Sequence, residues 1–265
     1  MLKQRAFDVL GNIAIVNFPR NTKQKEKRKF AERVLTSQKS IKTVLEKVGK
    51  VKGRLRKIKT KYLAGEKTKE VLYRENGCVF RFNVDTTYFS PRLSNERKEI
   101  ASKIKPNEKV LVMFAGVAPF SIVIARNSKA KVFSNEINKQ ANKYGKMNIE
   151  LNNLKNKVEM LNGDIKKVAE RLIKNKEKFD VIVMPRPNLK ETFLKWAFAL
   201  AKKGTRIYYY GFCGCSEAEK KKLIETIKTE ARKNKKTIKI INKKIAGAVA
   251  PYKVRLRIDF KVLSC

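Results

Sequence analysis

The chain of 265 residues is long enough for one large domain or two modest ones, and its 64 lysines and arginines against 24 acidic residues give a formal net charge of +40. So large a positive charge attracts polyanions over a long range, which makes nucleic acid the first partner to consider and a merely solvated, lysine-rich surface the alternative. The absence of histidine excludes imidazole bases, Ser-His triads and histidine metal sites.

Residues 1 to 87 are predicted to form a small α+β domain. Phe7–Phe18 alternates in polarity and is rich in β-branched residues, which predicts a strand or short hairpin with a turn at Gly11-Asn12. Apolar clusters at helical spacing predict one helix over residues 22–48. Antiparallel strands are then expected over residues 52–65, 70–77 and 78–87.

Residues 88 to 265 follow a different rhythm, in which strands and helices alternate. Strands are predicted at 110–116, 131–137, 158–164, 179–185, 205–212, 237–247 and 253–263. Helices are predicted at 95–104, 120–127, 139–153, 166–175, 191–204 and 216–234. This alternation is typical of an α/β fold: a Rossmann-like, doubly wound and mostly parallel sheet with helices on both faces and an antiparallel end.

The N-terminus and the cysteines favour a soluble, cytoplasmic protein. Cys213 and Cys215 are the only close pair among four cysteines, and they lack a second pair at metal-ligand spacing. The N-terminal residues do not resemble a signal peptide, and no apolar run reaches the roughly 18 residues of a membrane span. We therefore expect reduced thiols that pack in the fold, no metal and no membrane contact.

A turn of small residues after the strand at 110–116 favours a nucleotide-like ligand. The sequence VLVMFAGVAPF covers residues 110–120, with Gly116 as its one glycine. A helix that begins after such a turn presents unpaired amides and partial positive charge to the polar end of a cofactor. Alone the signal is weak, since many α/β proteins use a similar turn only to pack a helix on the sheet.

Two acidic residues make this site more specific. Glu136 and Asp164 each follow one of the next two predicted strands. We expect Glu136 to accept hydrogen bonds from ribose hydroxyls and Asp164 to accept one from an adenine amino group. Together they indicate an adenosine-containing cofactor, whereas the alternative is that each acid only caps the helix that follows it.

The segment between the two modules, residues 86–100, has the sequence TTYFSPRLSNERKEI. Pro91 disfavours a helix, which predicts an extended linker over Tyr88–Leu93 with Ser94 or Asn95 as the N-cap of the next helix. Glu96, near the start of that helix, is predicted to face the cleft between the modules. There its carboxylate could remove a proton from a nucleobase ring nitrogen; interaction with the helix dipole is the alternative.

Arg56 is the candidate partner of Glu96. It lies in a basic strand, KGRLRKIKTK, at residues 52–61. Its planar guanidinium could bind a purine carbonyl and the negative charge that develops there as a ring proton leaves. Phosphate binding by a solvated basic face is the alternative reading of this strand.

The order of the motifs resembles that of one enzyme family. FDVLGNIAIV, KTVLEKVGKVKGRLR, AGEKTKE, YFSPRLSNER, MFAGVAPFSI, EIN and NGD are similar, over nearly the whole chain, to the tRNA (guanine-N1)-methyltransferases of the archaeal and eukaryotic type. The resemblance implies methyl transfer from S-adenosylmethionine to N1 of the guanosine 3′ of the anticodon, position 37 in tRNA numbering. It also implies a cytoplasmic monomer that binds the anticodon stem-loop.

The resemblance assigns roles to individual residues. The general base falls on Glu96 and the guanine-carbonyl contact on Arg56. Substrate contacts are expected at Tyr88, Arg92 and Arg186. The expected cofactor contacts are Arg97, Phe114, Ala115, Gly116, Val117, Glu136, Ile137, Asp164, Ile165 and Pro185.

The chain departs from the family pattern in three places. Family members commonly carry an extra N-terminal domain, and this chain begins about where that domain would end. Val112 and Ala118 replace an aspartate and a glycine of the cofactor turn. The fourth strand of the sheet ends in MPRP, so that Pro185 and Arg186 stand where asparagine and leucine are expected.

The last departure leaves alternative functions open. A related family transfers the aminocarboxypropyl group of S-adenosylmethionine during wyosine synthesis, but its members usually lack the Pro-Arg-Leu that is present here at residues 91–93. Methyl transfer is therefore favoured. An aminocarboxypropyl transferase, a bifunctional methyltransferase that also acts on a wyosine precursor, and a non-catalytic RNA-binding protein are the alternatives.

Overall fold

The structure is a computed structural model that describes residues 7–53, 55, 57–185 and 191–264, without the side chains of residues 50–52 and 57. Three sheets make up the β-structure of these residues. A four-stranded sheet comes first, a two-stranded hairpin follows, and a seven-stranded sheet completes the chain.

The first sheet is covered by one helix. Its strands, in spatial order, are β1 (Phe7–Leu10), β2 (Ile13–Val16), β3 (Thr43–Lys52) and β4 (Lys57–Gly65). The predicted hairpin with its turn at Gly11-Asn12 is confirmed, since β1 and β2 pair in antiparallel register. Helix α1 (Gln24–Ser37) connects β2 to its parallel neighbour β3.

The predicted helix over residues 22–48 is wrong beyond Ser37, because β3 begins at Thr43. Val44 packs beneath α1, whereas Leu45 packs in a different core cluster. A strand buried on both faces gives a short, continuous apolar run, and periodicity alone cannot distinguish such a run from a buried helix.

A separate hairpin joins the first sheet to the second. It consists of β5 (Glu70–Glu75) and β6 (Cys78–Asn83), as predicted. The outer edge of β6 is satisfied by two side chains of the later helix α4 (Lys139–Leu151) and its C-terminal end. Asn148 exchanges hydrogen bonds of 2.7 and 3.1 Å with the backbone of Arg81, and Asn152 does the same at 2.9 and 2.7 Å with Val79. These amides take the place of a neighbouring strand.

The large sheet has the order β12-β13-β11-β10-β7-β8-β9. Its strands are β7 (Lys109–Val112), β8 (Lys131–Glu136), β9 (Val158–Asn162), β10 (Phe179–Met184), β11 (Ala201–Gly214), β12 (Ile238–Ala250) and β13 (Lys253–Val262). The remaining helices are α2 (Ser94–Ser102), α3 (Pro119–Asn127), α5 (Ile165–Lys174), α6 (Leu194–Leu200) and α7 (Glu217–Lys233). Only β13 runs antiparallel to both its neighbours, which confirms the predicted mostly parallel sheet with an antiparallel end.

Two local predictions are corrected. The helix predicted to reach residue 204 ends at Leu200, because Ala201 already pairs with Phe179 as the start of β11. The linker predicted to be extended forms a 3₁₀ turn over Pro91–Leu93, since the fixed φ of proline suits the first helical position.

The N-cap of α2 also differs from the prediction. Leu93 occupies it without a side-chain hydrogen bond, and Ser94 is already the first helical residue. Asn76 of the β5–β6 turn donates to the hydroxyl and the carbonyl oxygen of Ser94, at 3.2 and 3.0 Å. This helix start is therefore held by a tertiary contact.

Candidate active site

A cleft opens where the carboxyl ends of β7, β8 and β10 meet the linker between the modules. It encloses about 650 Å³ including its open mouth. Ligands of parallel α/β sheets bind at such strand ends. The lining residues are Leu55, Tyr88, Phe89, Ser90, Leu93, Arg97, Phe114, Ala115, Gly116, Pro119, Phe120, Glu136, Asn138, Ala141 and Pro185.

The small-residue turn after β7 has an unusual backbone. Phe114, Gly116 and Ala118 all adopt positive φ, of 60°, 60° and 67°. A Cβ atom on Gly116 would lie 3.4 Å from the carbonyl oxygen of Tyr88, an ordinary van der Waals contact, so it is the positive φ that favours glycine here. Ala118, in contrast, carries the cost of a left-handed conformation that glycine would avoid, about 1–2 kcal/mol.

Glu136 fixes this turn and does not cap the following helix. One carboxylate oxygen accepts the N–H of Gly116 at 2.7 Å, and the other accepts the N–H of Asn138 at 2.7 Å. The N-cap of α4 is Asn138, whose side chain accepts from the amides of Gln140 and Ala141. A carboxylate offers about four acceptor positions, so Glu136 retains acceptor capacity at the cleft.

Asp164 caps the helix that follows it, which was the alternative to a cofactor contact. Its carboxylate accepts from the N–H of Lys166 at 3.0 Å as the N-cap of α5. It does not line the cleft, and neither do Val117, Ile137 and Ile165. Val117 and Ile165 are buried in core clusters. The cofactor roles expected for these four residues stay predictions.

Arg97 forms part of the cleft wall and is almost completely buried, with 1% of its surface exposed. Its guanidinium donates two hydrogen bonds to the Glu75 carboxylate, one of them at 2.6 Å, and another to the Ser90 carbonyl at 3.0 Å. It also lies 5.0 Å from the ring centre of Phe89 and 5.8 Å from that of Phe120. Arg97 thereby ties the hairpin to the linker, and sequence analysis missed its partner Glu75.

Glu96 points away from Arg97 toward the antiparallel end of the large sheet. Its Oε2 accepts from Tyr210 Oη at 2.9 Å and from Arg257 Nη1 at 2.6 Å, and Lys244 Nζ lies 3.3 Å from Oε1. Successive helical residues are rotated by about 100°, so neighbours cannot face the same side. Glu96 was predicted to face the cleft between the modules, but it is buried and lines neither this cleft nor the larger space on the other side of the linker.

The other residues predicted to contact the substrate lie in different places. Tyr88 lines the cleft, whereas Arg92 is exposed and lies 3.4 Å from the Asp8 carboxylate. Arg56 and Arg186 lie outside the described residues, although their sequence neighbours Leu55 and Pro185 both line the cleft.

A larger space, which we call the interdomain cavity, adjoins the cleft across the linker. It shares Tyr88, Phe89 and Ser90 with the cleft. Its other lining residues are Asp8, Leu10, Ile15, Lys47, Ile58, Phe82, Val84, Thr87, Pro91, Arg92, Phe212, Ala246, Gly247, Ala248, Val249 and Arg255. The linker therefore separates two spaces that lie side by side.

Comparison with known proteins identifies the family. Residues 71–241 match the model of the TRM5/TYW2 methyltransferase domain, and residues 2–68 match that of the TYW2 N-terminal domain. The chain belongs to the TRM5/TYW2 methyltransferase family. The predicted family, fold and enzyme class, a methyltransferase that uses S-adenosylmethionine, are thereby confirmed.

Curated relatives within this TRM5/TYW2 family have two kinds of name. The chain is 34% identical to the tRNA (guanine(37)-N(1))/4-demethylwyosine(37)-methyltransferase Taw22 of Nanoarchaeum equitans, over 97% of this chain and 100% of the relative. It is also 34% identical to the tRNA (guanine(37)-N(1))-methyltransferase Trm5b of Pyrococcus abyssi, over 97% of this chain and 74% of the relative.

Solved structures of the TRM5/TYW2 family share the fold. Trm5b of Pyrococcus abyssi superposes with a TM-score of 0.84 at 33% identity, covering 97% of this chain and 75% of that one. The complex of aTrm5 with tRNALeu gives a TM-score of 0.82 at 30% identity, covering 97% and 72%. Trm5 of Methanocaldococcus jannaschii in complex with adenosine gives 0.80 at 29% identity, covering 98% and 74%.

The cleft of this TRM5/TYW2 member suits an adenosyl cofactor. The Glu136 carboxylate is available to ribose hydroxyls, and Phe89, Phe114 and Phe120 supply apolar surface for a flat base. Among the described residues that line the cleft, Arg97 is the one basic residue and Glu136 the one acidic residue, so their formal charges cancel. The residues present therefore fit S-adenosylmethionine.

A buried ion cluster lies behind Glu96, and sequence analysis did not detect it. Arg257 has no exposed surface and donates hydrogen bonds to Glu96, Glu99 and Asp259. Lys103 and Lys244 neutralise the remaining charge, giving three cations for three carboxylates. The one available signal was the alternation of charged residues, Arg255, Arg257 and Asp259, along a predicted strand.

The cluster also affects two titrating groups. Hydrogen bonds, first of all from Arg257, hold the pKa of Glu99 well below its usual range although partial burial acts in the opposite direction. Burial and the neighbouring Glu96 carboxylate raise the pKa of Tyr210 well above its usual value. The Tyr210 hydroxyl therefore remains a hydrogen-bond donor to Glu96 at neutral pH.

The described residues contain neither a candidate metal site nor a helix that could span a membrane. Their Cys, Asp and Glu side chains form no group of three or more that could hold a metal ion. None of their helices is both long and apolar enough to cross a membrane. Cys78 and Cys213 are buried free thiols and Cys215 is an exposed one.

We expect the Gly116→Ala variant to bind S-adenosylmethionine about tenfold more weakly or worse, because a side chain at a φ of 60° strains the turn that lines the cofactor cleft. Gly77→Ala is the matched control: its φ is 70°, and nothing lies within 4 Å of the added atom. Calorimetric titration of both variants measures the effect. Equal affinities in the two variants would show that the turn does not form the cofactor site.

We expect Glu99→Gln to lower the free energy of unfolding by about 1–2 kcal/mol at pH 7, because it removes charged hydrogen bonds. The folded-state pKa of Glu99 lies below its unfolded value of about 4.3, so this stabilisation is complete above that value and disappears as the pH falls through the folded pKa. Chemical denaturation at pH 7 and pH 3 should therefore show a smaller difference between variant and wild type in acid.

The control for this measurement is Glu225→Gln, which breaks an exposed pair with Lys228 three residues away. Exposed pairs contribute little, so its stability should match wild type at both pH values. A Glu99→Gln deficit that is identical at pH 7 and pH 3 contradicts the assigned role of the carboxylate.

Proposed function

We propose that this chain methylates N1 of the guanosine at position 37 of tRNA, on the 3′ side of the anticodon. The observation that carries the proposal is the linker Tyr88–Ser90, which forms a wall common to the cofactor cleft and the interdomain cavity. A nucleoside in the cavity would thereby adjoin the cofactor. Relatives at 34% identity that cover 97% of the chain carry names for this reaction.

The substrate of this proposal is the anticodon stem-loop. The net charge of +40 concentrates RNA at the protein surface. The loop is single-stranded, so turning one base out of its stack costs only a few kcal/mol, which contacts to the backbone can offset. A solved relative, aTrm5, has been crystallised with a tRNA. The everted guanosine would enter the interdomain cavity.

The chain's own residues divide the chemistry. Bound S-adenosylmethionine supplies an electrophilic methyl group, held by the turn at Gly116 and by Glu136. We assign removal of the N1 proton of guanine to Glu96, whose carboxylate lines neither the cleft nor the interdomain cavity here, so this role requires its side chain to change conformation when RNA binds. The Arg56 guanidinium binds the carbonyl oxygen on which negative charge develops.

The group transferred and the nucleotide modified can be measured together. Transfer RNA incubated with the enzyme and cofactor labelled either in its methyl or in its carboxyl group should retain only the methyl label. Mass spectrometry of the digested RNA should place it on guanosine 37. Retention of the carboxyl label would show aminocarboxypropyl transfer and contradict the proposal.

Methylation of 4-demethylwyosine is the second candidate. The observation that favours it is the double name of the Nanoarchaeum equitans relative, which matches this chain over the full length of that protein. The same assay on tRNA that carries 4-demethylwyosine at position 37 separates the candidates. A single-function enzyme would label only the guanosine substrate.

Glu96→Gln should leave S-adenosylmethionine affinity within a few-fold of wild type and slow single-turnover methylation by roughly 10² or more. Glu99→Gln is the control, since it lies one turn further on α2 and belongs to the same ion cluster around Arg257. A loss that comes only from breaking this cluster would appear in both variants. A Glu96→Gln rate equal to that of Glu99→Gln would rule out the general-base role.

A further inference from the structure

The interdomain cavity differs from the cofactor cleft in charge. Its lining contains Lys47, Arg92 and Arg255 against a single carboxylate, that of Asp8. The described lining of the cleft carries one basic and one acidic residue, Arg97 and Glu136, and Arg97 is already paired with Glu75. An anionic group is therefore better accommodated in the cavity than in the cleft.

Arg255 is the buried cation of this lining, with 8% of its surface exposed. It stands on β13 directly opposite Phe212 of β11, and its guanidinium carbon lies 5.6 Å from the centre of the Phe212 ring. Lys253, on the same side of β13, has its ammonium nitrogen 5.9 Å from that centre. One aromatic ring thus orients two cations, and stacking reduces the freedom that a guanidinium loses on binding a ligand.

Phe212 lines two neighbouring cavities at this end of the sheet. It lines the interdomain cavity and a smaller cavity that contains Lys253 and Phe114. Phe114 lines the cofactor cleft as well. Arg255 therefore lines the space that the proposed target nucleoside would occupy, and Lys253 lines the smaller cavity next to it.

We propose that Arg255, oriented by Phe212, binds a phosphodiester group of the RNA strand next to the target nucleoside, with Lys253 as a second contact. The inference rests on the proposed function for the identity of that strand. The planar, two-pronged donor of arginine matches the oxygens of a phosphate. A phosphate is favoured over a base edge because the described lining carries more basic than acidic side chains, and a neutral base edge would leave that charge uncompensated. Phosphate contacts position a strand, whereas base contacts select its sequence. Arg255 is thus a positioning contact for the substrate.

The first test is RNA binding by the Arg255→Met and Lys253→Met variants. We expect Arg255→Met to bind an anticodon stem-loop RNA about tenfold more weakly, with the slope of log K against log salt reduced by roughly 0.7. The KM for RNA should rise while kcat and S-adenosylmethionine affinity stay within about threefold of wild type. Lys253→Met should show a smaller change in the same direction.

Lys261→Met is the matched control. Lys261 lies on the same strand as Lys253 but at its opposite end, and it is exposed. The Lys261→Met substitution removes one positive charge outside the cavity lining, so RNA affinity should fall less than in either test variant. Equal losses in Lys261→Met and Arg255→Met would overturn the inference, because they would reflect net charge alone.

A second test changes the RNA as well as the protein. Stem-loop RNAs carrying one neutral methylphosphonate, on the 5′ or the 3′ side of the target, are bound to wild type and to Arg255→Met. One of these RNAs should bind wild type about tenfold more weakly and be no further impaired by Arg255→Met. If Arg255→Met lowered the affinity for both methylphosphonate RNAs as much as it lowers that for unmodified RNA, the proposed phosphate contact would be overturned. Wild type that binds RNA with this pattern but methylates nothing would contradict the proposed function alone.

Discussion

Glu96 and Arg97, neighbours of opposite charge at the start of α2, are both buried, so each needs a partner of opposite charge. Arg97 is paired with Glu75 of the hairpin, and Glu96 with Arg257 of the last strand. A helix turns adjacent residues to different sides, so the two pairs connect α2 to different parts of the molecule. Removing one partner of a buried pair costs about 3–5 kcal/mol, which makes α2 the fixed element between hairpin and sheet.

The position of the linker follows from this constraint. Arg97 donates to the Ser90 carbonyl and lies against the Phe89 ring, so the helix holds the linker that precedes it. The Tyr88 carbonyl oxygen also lies close to Gly116 of the cofactor turn. A wall held from both sides keeps the cofactor cleft and the interdomain cavity adjacent but distinct. Methyl transfer between two bound molecules requires that kind of arrangement, since reacting atoms must be held in contact.

Sequence patterns predicted the parallel sheet, the hairpins and the cofactor turn, because each depends on residues close together in the chain. They failed where partners are distant: Glu75 lies 22 residues from Arg97, and Arg257 lies 161 residues from Glu96. Periodicity likewise could not show that β3 is buried on both faces. The domain boundary at residue 87 stays a prediction, and hairpin β5–β6 before it packs on α4 through two asparagines.

The distribution of acids explains how so basic a chain keeps a neutral cofactor cleft. Several of its 24 acidic residues are buried, among them Glu75, Glu96, Glu136 and Asp259. Carboxylates buried with their partners do little to offset the exposed lysines, so the surface attracts RNA without selecting its sequence. Selection must then come from groups inside the cavities. In our proposal Arg255 acts after the charged surface has attracted the RNA and before methyl transfer. It binds one phosphate of the strand and so fixes that strand beside the cofactor.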